Sequence, residues 1–285
     1  MKIDASLHDR IVRAFSPLGD EAAAGAFPPA SSLSQALDKI LPAHAKGVYS
    51  KNATPTVVKL FTTASVNMWL RGIHSFLVSC SLTGVSPGWA CVSGYYSSHY
   101  SIRAFAHLLG FFQLFSRRRI VHLQLTGARY TCVFDPKTKD DREHRFYWKI
   151  VKKDSNFATD PFFTDNNSGT DDSDVAHRDR ASYADHLPQF PVFSPLDGSS
   201  LRNRIERISE IEFASPPIPR VSRYPDTEFV QIIAYHRLVR FRNLLDAVLE
   251  TRNRFWSVHR DPPWARGFVD YQLTEEATLR SRYTL

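Results

Sequence analysis

Hydrophobic and polar positions change period several times along this chain, and each change predicts an element. Thr54 can cap a helix with Pro55 in its first turn, and Val58, Phe61, Met68, Ile73, Phe76 and Leu77 carry one apolar face to Leu82, before Gly84 and Pro87. A second helix is predicted from about Pro87 to Ser116. In it Ala90, Gly94, Ser97, Ser101 and Ala104 recur at helical spacing, a line of small side chains along which another helix can approach closely. Val92, Tyr95, Tyr96, His99 and Ile102 stand beside that line with enough bulk to fill a core. After Arg119 the period drops to two. Ile120, His122, Gln124 and Thr126 alternate with Val121, Leu123 and Leu125, and Arg129 to Phe134 continues after Gly127, which predicts a hairpin. The alternation of Phe146, Trp148 and Ile150 with Tyr147 and Lys149 predicts a further strand over Arg145 to Val151.

The flanking segments are less regular. Residues 1–50 combine a short helix, Leu7 to Phe15, with an Ala/Gly/Pro/Ser-rich run from Ala22 to Ser34, and are expected to form a loosely packed arm. Residues 154–198 are dominated by Asp, Asn, Ser, Gly and Pro and predict a long disordered acidic loop. Helix returns from Ser199 to Phe213, breaks at Pro216, Pro217 and Pro219, and resumes behind an Asp226 cap as one long helix, Thr227 to Val258. Its seam is Ala234, Leu238, Phe241, Leu245, Val248 and Phe255. The expected fold is mainly α: a helical domain over 51–285, interrupted by a small antiparallel β insertion at 119–153 and by the acidic loop.

Composition narrows the class. The chain has 285 residues, of which 43% are hydrophobic, enough to bury a sizeable core, so a disordered chain is excluded. Cys80, Cys91 and Cys132 lack metal-ligand spacing and predict reduced thiols, hence a cytoplasmic protein. The N-terminus holds no signal-peptide core, and the apolar run Ala104 to Phe115 is far short of the roughly 20 residues that span a bilayer, so no membrane association is expected. Net charge is +7, yet Asp160 to Asp185 holds seven aspartates against Arg178 and Arg180; the remainder, at +7 − (−5) = +12, is compatible with an RNA partner.

The string Tyr95-Tyr96-Ser97-Ser98-His99-Tyr100-Ser101-Ile102-Arg103-Ala104 resembles a helix of the HEPN superfamily (higher eukaryotes and prokaryotes nucleotide-binding), in which paired tyrosines precede a small-residue and Arg-Ala segment. The run from Tyr235 to His259, with Arg242-Asn243 and Arg252-Asn253, looks like the late helix of such domains. Together these pieces cover under a quarter of the chain. The resemblance implies a helical bundle that pairs as a two-fold homodimer, and a role in RNA handling within a toxin-antitoxin or antiviral defence setting, with an antitoxin or other protein as a further partner.

The ribonuclease branch of that superfamily uses an arginine and polar residue followed by a histidine after four to six residues. One group activates the ribose hydroxyl or protonates the leaving oxygen while another stabilises the charge on phosphorus. Arg252, Asn253 and His259 fit, and on one continuous helix Arg252 and His259 share a face. Arg242-Asn243 is the alternative match; histidine is then replaced by Ala247, Val248 or Leu249, which makes the protein catalytically silent. Contact with RNA would come from Arg237, Arg240, Arg242 and Asn243 facing Tyr96, His99 and Arg103. Against that stand the ion pairs expected at four-residue spacing, Arg242 with Asp246 and Glu250 with Arg254. Phosphate-loop, zinc-protease, paired-cysteine and nucleophile-elbow motifs are missing, and His99, Arg103 and His107 do not have zinc spacing, so no metal and no cofactor is expected. The competing reading is a non-enzymatic interaction protein whose bundle and acidic loop bind a protein partner.

Overall fold

The computed structural model of the protein describes residues 3–18, 30–83, 86–138, 143–164, 173–183, 201–211, 226–249 and 253–266. The fold is mainly helical with a small antiparallel sheet. In chain order the elements are α1 (Ala5–Phe15), α2 (Ala30–Ile40), β1 (Tyr49–Asn52), α3 (Pro55–Leu82), α4 (Pro87–Leu108), β2 (Phe111–Leu114), β3 (Arg119–Thr126), β4 (Arg129–Pro136), α5 (Glu143–Lys153), α6 (Pro161–Thr164), α7 (Asp174–Tyr183), α8 (Leu201–Ser209), α9 (Thr227–Leu249) and α10 (Arg254–His259). They divide into two compact units: residues 1–70, 101–160 and 240–260, and residues 71–100, 161–239 and 261–285. No helix among the described residues is long and apolar enough to cross a membrane.

The first unit contains the sheet, in the order β1-β4-β3-β2, all pairs antiparallel. The expected hairpin is present as β3 and β4, with Val121 opposite Phe134 and Leu123 opposite Cys132. These side chains point to one face and pack with Phe112 and Leu114 of β2, Leu33 and Leu37 of α2, and Val57, Val58 and Phe61 of α3. Burying each large apolar side chain contributes on the order of 1.5–3 kcal/mol. A second aromatic group joins Trp69 to Phe241 and Trp256, at ring centroid distances of 5.9 and 5.2 Å, and Phe105 to Phe241 at 5.2 Å.

Four expectations change here. The segment over 1–50 is packed where it is described: Leu7, Ile11, Phe15, Leu33, Leu37 and Leu41 are all buried, because α1 and α2 each carry an apolar face that the polar composition between them obscures. The second helix stops at Leu108 rather than Ser116, since Gly110 adopts φ +87° and turns the chain into β2. The sheet is no self-contained insertion at 119–153, for β1 and β2 come from outside it. Arg145 to Val151 is helical, not extended: Tyr147, Trp148 and Val151 are buried with spacings of four and three, the helical face that an alternating reading of the same short run overlooks.

The second unit packs Cys91 and Tyr95 of α4 against Phe162 of α6 and Phe229, Val230 and Ile233 of α9. The line of small residues does admit a close approach. A Cβ at Gly94 would stand 3.0 Å from both Ser79 Oγ and Val230 Cγ1. Asp226 caps α9 as expected, accepting from the Phe229 amide at 3.0 Å. Within the stretch expected to be a disordered acidic loop, α6 and α7 are helical and Phe162, Phe163 and Asp174 are buried. Asp165, Asp171, Asp172 and Asp185 lie outside the described residues. Cys80, Cys91 and Cys132 are free and buried, and burial raises each thiol, Cys80 and Cys132 to about 12, so none is a ready nucleophile.

The sheet-bearing unit can be tested at two points. A Cβ at residue 110 would meet the Leu123 carbonyl and Arg10 Nη1 at 2.6 Å and impose a strained positive φ, so Gly110→Ala should cost about 2 kcal/mol or more in urea unfolding; an unchanged midpoint would contradict this assignment. The second concerns acid. Burial lowers His107 from 6.5 to about 3 and His122 from 6.5 to about 4. His107 Nδ1 donates to the Phe111 carbonyl at 2.8 Å, and His122 stacks on Phe111 with centroids 4.0 Å apart. The unfolded chain takes up protons more readily than these folded imidazoles, so their contribution is complete above pH 6.5 and lost as pH falls toward 4 and then 3. Unfolding free energy should drop by up to about 1.4 kcal/mol per pH unit for each histidine below pH 6.5, and His107→Phe should flatten that slope.

Candidate nucleic-acid interface

The residues expected to contact RNA are distributed over both units and mostly turned inward. Arg237 is 0% exposed. Its Nη1 donates to Asp174 Oδ2 at 2.5 Å and to Ser98 Oγ, and its Nε donates to the Phe162 carbonyl at 2.9 Å, while Ser98 Oγ donates to the same Asp174 oxygen. Arg240 is 4% exposed and its Nε lies 2.5 Å from Asp160 Oδ2; burial lowers its pKa and the Asp160 carboxylate opposes that shift. Both arginines are corrections to the sequence reading. Each is matched by an aspartate of the acidic stretch, because a buried guanidinium without a carboxylate carries a cost of several kcal/mol.

The tyrosine-histidine string is likewise interior. His99 is buried and stacked on Tyr95 at 6.2 Å, and Tyr96 is half-buried with its ring 5.4 Å from Tyr95. Arg103 lies in the other unit, its guanidinium carbon 5.1 Å from the Tyr147 ring centre, a cation held over an aromatic face. Arg242 makes the expected pair with Asp246, Nε to Oδ2 at 3.6 Å, and Asn243 is exposed.

The supposed catalytic helix is divided. α9 ends at Leu249, and α10 begins at Arg254 with Asn253 in an extended conformation as its N-cap. Arg252 lies outside the described residues. No continuous helix from Thr227 to Val258 exists to place Arg252 and His259 on a shared face, because the capping asparagine interrupts it. Asn253 Oδ1 accepts from the Trp256 amide at 2.9 Å and its Nδ2 donates to the Phe15 carbonyl at 3.0 Å, so both ends of that amide have structural partners. His259 is half-buried, its Nδ1 donates to the Phe255 carbonyl at 2.7 Å, and burial lowers its pKa.

Charge is divided as unevenly as the site residues. The sheet-bearing unit holds 24 Lys and Arg against 13 Asp and Glu, a balance of +11, whereas the other holds 12 against 16, a balance of −4. Within the basic unit, one concave surface gathers cations. The turn between β2 and β3 runs Phe115-Ser116-Arg117-Arg118 into Arg119, and borders a cavity of about 270 Å³ with Leu41, Pro42 and Ala45 on its other side. Arg119 is fixed by donating to the Ala45 carbonyl at 2.6 Å and to the Gly47 carbonyl. Arg117 reaches Asp38 at 3.6 Å, and Ser116 Oγ donates to the same carboxylate. Arg118 is exposed and left-handed, φ 50° and ψ 48°, the one non-glycine residue with positive φ among those described. Beside it Phe115 is 50% exposed, and Lys137 Nζ stands 4.7 Å from its ring centre.

This arrangement supplies fixed and exposed cations together with an accessible ring, suited to phosphate and to a stacked base. None of the side chains lining the cavity is a carboxylate, imidazole or thiol, and the Asp38 carboxylate beside it is engaged by Ser116 and Arg117. The Arg117-Arg118-Arg119 run is visible in the sequence. Its role as a turn was hidden by the expectation of a helix through Ser116.

If Arg237 is structural, Arg237→Ala should destabilise the protein by about 3–5 kcal/mol, because Asp174 is left buried and unpaired. Replacing both partners, Arg237→Met with Asp174→Leu, should recover most of that loss in urea unfolding; a double variant no more stable than Arg237→Ala would contradict the pairing. Compared with known proteins, the chain matches no family model, no curated protein and no solved structure.

Proposed function

We propose that this protein binds single-stranded RNA through its sheet-bearing unit, with the β2–β3 turn as the principal phosphate contact, and that it does so without cleaving the strand. The observation that carries this reading is the concentration of charge, +11 against −4, in the unit whose surface also presents Arg118, Lys137 and the exposed Phe115. Phosphate neutralisation by such cations releases counterions and supplies most sequence-independent affinity. In terms of the HEPN resemblance, the reading corresponds to a catalytically silent relative. It is supported by the structural employment of Asn253 and by the interruption ahead of α10.

The test is fluorescence anisotropy with a labelled single strand of about 16 nucleotides, long enough for one such site. Affinity should fall steeply with salt, and Arg118→Ala with Lys137→Ala should flatten the slope of log K against log salt by about 1.4, that is about 0.7 for each phosphate no longer neutralised. Arg118→Gly separates folding from binding. It should raise stability by roughly 1 kcal/mol by relieving the left-handed arginine, yet weaken RNA binding. Unchanged affinity in these variants, or an equal loss with Arg242→Ala, would overturn the assignment to the turn.

A further inference from the structure

A second cavity, of about 350 Å³, opens in the same unit where β1 ends and the β3–β4 turn begins. We propose that it is a nucleobase pocket for single-stranded RNA, a proposal that rests on the RNA-binding reading and adds a base contact to it. Its size falls at the small end of ligand sites, which are commonly about 300–1,000 Å³. Pro55, Val58 and the ring of Tyr130 make an apolar lining that suits a flat base and offers little to a bare phosphate. Tyr130 is half-buried, and its hydroxyl is 3.5 Å from the Arg10 carbonyl. A ring held in this way can stack without first being ordered.

The polar groups at the rim complete the match. Asn52, exposed at the end of β1, is among the residues lining the cavity and carries a planar amide with a donor and an acceptor, the pattern that pairs with a base edge. Arg13 forms a fixed part of the wall, its Nη1 donating to the Gly127 carbonyl at 3.2 Å and its Nε to Asp9 at 2.9 Å. Arg129, exposed and also lining the cavity, supplies a charge for the phosphate attached to that base.

The place of this cavity in the unit also favours a strand over a small molecule. The cavity at the arginine turn is lined by Leu41, Pro42, Ala43 and Ala45, before β1, and this one by Asn52, the last residue of β1, with Ala53 and Pro55 after it. Between them lies one exposed edge strand of four residues, roughly 13 Å long, carrying Lys51. Along β3 the arginine turn and the β3–β4 turn stand at opposite ends, seven residue steps or roughly 23 Å apart, which a single strand spans within the roughly 4–16 nucleotides that small single-strand sites occupy. The occupant is therefore one base of an RNA whose backbone continues to the arginine turn.

The two contacts differ in what they read, and the experiment uses that difference. Affinities are measured for the four homo-oligonucleotides of about 12 residues, with adenosine monophosphate as a separate probe, on the wild type, Asn52→Ala with Arg129→Ala, and Arg118→Ala. All substitutions are at exposed positions, and unchanged thermal unfolding shows that the variants are folded. The wild type should prefer one base by about tenfold or more. The Asn52/Arg129 variant should lose that preference, whereas Arg118→Ala should weaken all four oligonucleotides equally and keep it. Wild-type binding without base preference, or a preference that survives in the Asn52/Arg129 variant, would overturn the pocket and leave RNA binding at the turn intact. Adenosine monophosphate bound as tightly as the oligonucleotides would overturn it in favour of a free nucleotide, and no binding of any oligonucleotide would overturn both proposals.

Discussion

The sheet-bearing unit depends on the backbone at Gly110. The helix before it ends there because the left-handed conformation, φ +87°, leaves the α-helical path at little cost only for glycine. Its carbonyl accepts from the Leu123 amide at 2.7 Å, and the space where a side chain would begin is occupied by the Leu123 carbonyl. The residue that stops α4 is thereby bonded to the middle of β3. Everything downstream follows in register: Phe111 faces His122, Leu114 faces Arg119, and Phe115 to Arg118 must form the turn. A helix continued to Ser116 would have placed the arginine run after a helix end, with no strand to hold Arg119 against the Ala45 and Gly47 carbonyls.

Buried charge imposes the second constraint. Arg237 and Arg240 contribute to the formal balance of the chain but not to its surface, because Asp174 and Asp160 neutralise them in place. Such pairs add little net stability against an apolar alternative, since desolvating both ions offsets their attraction, but an unmatched member is very costly. The acidic stretch therefore has a structural use at these two positions. It supplies the counter-charges for helix α9, and this separates arginines that count toward the interior from those that can meet a phosphate.

What the sequence made legible was whatever local chemistry determines. The Thr54 and Asp226 caps, the small-residue line through Gly94 and the period-two hairpin all depend on neighbours within a few residues, and all are present. The errors share a different origin. Arg145 to Val151 alternates well enough for a strand, and only packing of Tyr147, Trp148 and Val151 together selects the helix. The Thr227 to Val258 seam continues in apolar residues across the interruption because Phe255 and Trp256 still enter the core from α10. Of the candidate site, the arginine run was readable but its geometry was not: the partners of Arg117 and Arg119 come from residues 38–47, about 70 positions earlier in the chain. No local pattern announces such contacts.

The turn also indicates what kind of recognition it can perform. An arginine held in the left-handed region costs roughly 1–2 kcal/mol, and glycine at the same place would avoid it. In return, the neighbouring arginines are already tied to a carboxylate and to backbone carbonyls, so the wall of the cavity has given up its rotamer freedom during folding. Immobilising an unrestrained arginine or lysine costs up to about 2 kcal/mol, which a ligand arriving at this wall does not have to supply again. What remains adaptable is Arg118 and Lys137 around one exposed ring. A fixed cationic wall with two adjustable charges is selective for spacing and charge rather than for the edge pattern of a base, so on the proposed RNA-binding reading the turn would hold the backbone of the strand and sequence would be read elsewhere.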